Sequence, residues 1–151
     1  MRIAITKLTS DRHRLAIRRD DGTEEAEELE TRSFLLRDLV HYAVEAEAGI
    51  EDGFWGLLAR GTTMAELSDR TRVFPYGEGI GLAEGLVGPM QSVWHGRLEI
   101  ARYVENARPL APALVDEAFV ARVLSRLRGL WGHWRATPFR QAMELTWPPR
   151  P

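Results

Sequence analysis

Apolar and polar residues alternate at the start of the chain. Ile3 and Ile5 are set among Arg2, Ala4 and Thr6, and Leu15 and Ile17 among Arg14, Ala16 and Arg18. A two-residue period sends successive side chains to opposite faces, so both segments predict half-buried β-strands. Between Arg19 and Thr23, Asp20-Asp21-Gly22 has the composition of a type I turn closed by a glycine free to take positive φ, which makes residues 12–30 a hairpin. If Arg19 pairs with Thr23, then Arg18, Arg14 and Arg12 face Glu24, Glu28 and Glu30, and Glu25 and Glu27 fall beside Ile17 and Leu15. A slip of one residue would exchange those sets between faces, so the pattern leaves the register open.

The period changes at Ser33. From Phe34 to Ala48, Leu36, Leu39, Val40, Ala43 and Val44 recur at helical spacing, and Gly49 is a natural stop. Short helices are expected over Gly53–Arg60, capped by Asp52, and from the capping box Thr63-Met64-Ala65-Glu66 to about Arg70. Residues 73–89 are rich in glycine and proline and predict an ordered loop. A helix over Met90–Asn106 follows, with Val93, Trp94, Leu98, Ala101 and Val104 inward. The clearest helical period runs from Val115 through Phe119, Val123, Leu127 and Leu130 to Trp134, with Pro112 in its first turn. After Pro138, Met143, Leu145 and Trp147 alternate with Ala142, Glu144 and Thr146, a closing strand beside the N-terminal ones.

These elements predict an α+β fold: a small antiparallel sheet, made of the N-terminal strand, the hairpin and the C-terminal strand, packed against four to five helices. The 151 residues read as one domain, with strands over 1–31, a mainly helical part over 33–136 and the closing strand over 141–147.

Composition narrows the chemistry. The absence of cysteine excludes disulfides, thiolate metal sites and cysteine nucleophiles. No apolar run reaches the length of a signal peptide or a membrane span, so a soluble cytoplasmic protein without membrane contact is expected. Arginine outnumbers lysine 19 to 1, a ratio that hints at the codon bias of a GC-rich bacterial genome. The net charge of −2 hides a segregation: +5 over residues 1–19, −10 over 20–52, −2 over 53–117 and +5 over 118–151. The expectation is that the basic ends cover the acidic segment.

Four groups of residues could carry chemistry. Asp38, His41 and Glu45, three and four apart, share one face of the first long helix, where they could move a proton or hold a metal. Arg37 lies beside them, and the sequence reads this face as the solvated side of an amphipathic helix, with no metal or cofactor required. Trp94-His95 and Trp131-Gly132-His133-Trp134 could line an apolar ligand pocket with imidazoles at its mouth, although aromatics at this spacing ordinarily build core. The run Gly77-Glu78-Gly79-Ile80-Gly81-Leu82-Ala83-Glu84-Gly85 lacks both dinucleotide and P-loop spacing, and its glutamates have the wrong sign for phosphate; a loop, or close packing through Gly81 and Gly85, fits it better. Finally, Leu57–Val73 resembles part of a bacterial helix-turn-helix, which implies a recognition helix next in the chain. The residues that follow, Tyr76-Gly77-Glu78-Gly79-Ile80-Gly81, are glycine-rich and acidic rather than basic, which argues against nucleic acid.

Two functions of different class remain. The first is a non-enzymatic protein acting through protein–protein contacts, as a homodimer or with another chain. The second is a small-molecule- or metal-binding protein, including a hydrolase-like enzyme, that uses the tryptophan–histidine helices or the Asp38/His41/Glu45 face. Helix-turn-helix DNA binding is a lesser third.

Overall fold

The structure, a computed structural model, describes residues 1–69, 71 and 79–149. Their order is β1 (Arg2–Lys7), β2 (Arg12–Arg18), β3 (Glu24–Glu30), α1 (Thr31–Ala48), α2 (Phe54–Ala59), α3 (Met64–Ser68), α4 (Gly79–Trp94), α5 (Ile100–Ala107), α6 (Glu117–Ala136) and β4 (Ala142–Thr146). The fold is α+β, with six α-helices among the described residues rather than four or five. The sheet is antiparallel throughout in the order β3-β2-β1-β4, so the closing strand lies beside β1 as its alternation predicts.

Hairpin register is the one that pairs Arg19 with Thr23: the Arg19 N–H donates to the Thr23 carbonyl at 2.9 Å. Arg12, Arg14 and Arg18 stand opposite Glu30, Glu28 and Glu24, while Leu15 and Ile17 stand opposite Glu27 and Glu25. Burial decides between the two registers, because Ile3, Ile5, Leu15, Ile17 and Met143 must all reach the helical layer, and each is at most 2% exposed. The outer face keeps the arginines and the other glutamates in water. Helices α1 and α6 supply Leu39, Val40, Phe119 and Leu127 to the same hydrophobic cluster.

Three boundaries in the second half of the chain differ from those the sequence predicts. The glycine- and proline-rich stretch is helical from Gly79, because Ala83, Leu86, Val87 and Met90 form a buried stripe whose burial outweighs the poor intrinsic helicity of glycine. Gly85 packs closely, since a methyl group there would meet the Leu110 side chain, whereas Gly81 has open space. Residues 73–78 of the expected loop lie outside the described residues. The helix expected over Met90–Asn106 is broken: Gly96 takes a left-handed φ of 69° after α4, the chain turns, and α5 starts afresh at Ile100. Ala101, expected inward, is exposed. Pro112 likewise falls in a turn, and the last helix is capped instead by the Asp116 carboxylate, which accepts from the Phe119 N–H at 2.7 Å.

Candidate functional site

Helix α1 is buried on nearly every side from Asp38 to Glu45. It runs behind the sheet, with α6 against it along one side and α4 along another. The Asp38/His41/Glu45 stripe is therefore not a solvated face: the three residues are 4%, 0% and 1% exposed. The amphipathic reading fails because α4 supplies a second apolar surface that covers the polar side of α1.

Burial of charge requires compensation, and most of this stripe has it. The His41 Nδ1–H donates to Glu45 Oε1 at 2.9 Å. The same Glu45 carboxylate accepts the backbone N–H of Phe54 at 2.8 Å and of Trp55 at 3.0 Å, so it caps α2 from outside. Asp52, expected as that cap, points instead to Gly79, whose N–H it accepts at 3.3 Å. Gly53 makes room for the arrangement, because a Cβ there would overlap the Glu45 carboxylate. On the far side of the ring, His41 Nε2 lies 3.4 Å from Glu84 Oε1 of α4, an ion-pair contact without hydrogen-bond geometry. Glu84 also accepts a 2.8 Å hydrogen bond from Arg37. Burial drags the His41 pKa down, but Glu45 and Glu84 outweigh it and hold the imidazole above its usual value. Pairing with His41 in turn holds the Glu84 carboxylate below its usual range.

Asp38 is different. Its carboxyl accepts no hydrogen bond from the described residues, and burial pushes its pKa up to about 7, against smaller opposing effects of Arg37 and His41. Asp38 lines a cavity of about 480 Å³ between α1, the inner face of the hairpin, and α2 and α3. Phe34, Phe54, Leu15 and Met64 give it apolar walls; Glu27 and Arg37 add charge. A carboxyl that titrates near neutrality can donate or accept a proton, and it can anchor the polar group of a ligand.

Glu27 is the residue that sequence reasoning missed. The hairpin register placed it beside Leu15 on the inward face, and an acid at an inward position of a strand is the signal that pointed to it. Its neighbour on that face, Glu25, is structural: it pairs with the buried Arg19 guanidinium and accepts the Met64 N–H of α3 at 2.9 Å.

The tryptophan–histidine group divides. Trp94 and Trp131 meet edge to face at 6.2 Å, which joins α4 to α6, but His95 and His133 are exposed. Trp134 is buried under the Lys7 ammonium, 4.7 Å from its ring centre, with His13 at its edge. Among the described residues no group of three or more histidines and acids is placed to hold a metal ion, so Asp38, His41 and Glu45 do not converge as ligands. In the helix-turn-helix-like segment, the Thr63 capping box forms, but α3 lasts only five residues, and the residues in the place of a recognition helix lie largely outside the described ones. No helix among the described residues is long and apolar enough to cross a membrane. Comparison of the chain with family models, with curated proteins and with solved structures finds no significant match.

Proposed function

We propose that this is a small-molecule-binding protein whose site is the cavity over Asp38. One observation carries the reading: Asp38, 4% exposed, lines an open cavity, and its carboxyl accepts no hydrogen bond from the described residues. A nearly buried acid that accepts no hydrogen bond from its own chain costs about 1–3 kcal/mol, and a space beside it large enough for an organic molecule lets a ligand supply that bond. Burial of the stripe supports this reading over the one through protein–protein contacts. The test is an NMR screen of a fragment library against the ¹⁵N-labelled protein. Hits should move the amide signals of Phe34, Phe54 and Leu67, and Leu29→Trp, which fills the cavity, should abolish those shifts. Hits that leave these signals untouched, or that bind the Leu29→Trp protein equally, overturn the reading.

Association with a second copy is favoured by a separate observation. On the outer face of the sheet Ala4, Ala16 and Ala26 stand in one row across three strands, with arginines along β2 and glutamates along β3. A two-fold axis along the β2–β3 seam would lay the basic row of one copy on the acidic row of the other. Light scattering should then return twice the chain mass, and Ala16→Glu should return it to one. A single-chain mass at millimolar concentration overturns this reading.

A further inference from the structure

The charges around the cavity do not balance. Four charged groups form a closed set: Glu45 and Glu84 carry two negative charges, and the His41 imidazolium and Arg37 carry two positive ones. Arg37 borders the cavity, and its charge is matched by Glu84, which takes one of its N–H groups at 2.8 Å, with the guanidinium 6.0 Å from the Phe54 ring centre. Two acids remain at the cavity with no ion pair among the described residues, Asp38 on α1 and Glu27 on β3. Glu27 adds to the forces that keep the Asp38 proton on. Phe34 and Phe54 line the same cavity and give an apolar body its contact area.

We propose that the cavity binds an organic monocation, an amine with an apolar or aromatic body, whose ammonium sits between Asp38 and Glu27. This rests on the reading of the cavity as a ligand site and adds the class of ligand. The ammonium supplies the hydrogen-bond donors that Asp38 lacks and cancels the repulsion between the acids. Where Asp38 is protonated it must release that proton to solvent as the ammonium enters, since a neutral carboxyl offers the cation no charge. Four charged groups bear on Asp38 from the surrounding elements. Arg37 and His41 lie on α1 and Glu27 on β3, while Glu84 of α4 acts through the first two. Loss of the His41 proton would raise cation affinity in the same direction, and His41→Gln removes that contribution.

Three near-isosteric probes test this: 2-phenylethylamine, 2-phenylethanol and 3-phenylpropionate, titrated against the protein by NMR at pH 6 and pH 8. The amine should bind at least about tenfold more tightly than the alcohol, and the propionate most weakly. Amine affinity should rise by about tenfold from pH 6 to pH 8, as Asp38 loses its proton, and should still rise in His41→Gln. Asp38→Asn should erase both the pH dependence and most of the amine preference, while Glu27→Gln, at a half-buried position, should weaken amine binding by a smaller factor. Alcohol or propionate binding as tightly as the amine, or an amine preference that survives Asp38→Asn, overturns the inference. If library fragments occupy the cavity but the amine does not, the ligand class falls and the site stands; if nothing occupies it, both fall.

Discussion

Asp38 and His13 are buried titratable groups whose protons move stability in opposite directions. The Asp38 pKa rises from 3.8 to about 7 on folding, so the folded chain holds this proton more tightly than the unfolded one. Its contribution is therefore complete below about pH 4, declines as pH rises through the window to about 7, and stays lost above it. Asp38→Asn has no charge to desolvate. Thermal unfolding should show it more stable than the parent at pH 8, by roughly 5–10 °C, and within a degree or two at pH 4. His13 behaves in the reverse sense. Burial, with Arg12 beside it, pulls its pKa from 6.5 down to about 4, so the stability it contributes is complete above 6.5 and is lost as pH falls toward 4. A proton NMR titration should find His13 neutral down to about pH 4 and His41 still charged above its ordinary midpoint of 6.5. If both titrate near 6.5, neither ring is buried and paired as described.

At the scale of elements, the short helix α2 depends on a residue of another helix. Gly53 at its N-terminus has no side chain to offer, and the two free N–H groups are taken by Glu45, which also pairs with His41. Glu45→Ala leaves two backbone donors and a buried imidazolium unpaired and should cost about 3–5 kcal/mol in urea unfolding. Gly53→Ala forces a methyl against the same carboxylate and should cost about 1–3 kcal/mol. The double variant should cost less than the sum, because removal of the Glu45 carboxylate clears the space the methyl needs; additive losses would mean that the two positions do not meet. This element also marks where the sequence stops being legible. Strands were readable because a two-residue period needs only one buried face, and the Thr63 cap because both its partners lie within four residues. The cap of α2 was not, since Glu45 precedes it by nine residues and reaches it only through the tertiary fold. Glycines hid α4 because their effect is local, while the stripe from Ala83 to Met90 acts only when it meets α1. The same contact, absent from any window of α1 alone, turned Asp38 and His41 from a surface stripe into the interior of the protein.

Over the whole molecule, charge segregation along the chain becomes local pairing. Glu47, in the acidic segment, meets Arg126 at 2.7 Å and Arg122 at 3.3 Å from the basic C-terminal part, which accords with basic ends covering the acidic middle. Such partly exposed pairs are each worth at most about 1 kcal/mol, so they orient α1 against α6 rather than hold them together. What holds the molecule together is the shared core, and its weakest link in sequence is its longest in reach: β4 closes the sheet against β1, with Met143 opposite Ile5 and wholly buried against the helices. Met143→Ala removes a buried side chain from the last strand and should cost about 2–4 kcal/mol. If strands from both chain ends and the helices between them are one cooperative unit, that loss cannot stay at the sheet. Far-ultraviolet dichroism, dominated by the helices, and fluorescence of the five tryptophans should then shift together to a lower urea midpoint with unchanged slope. Transitions that separate, with the helical signal at its parental midpoint, would divide the chain into two units and refute a single domain.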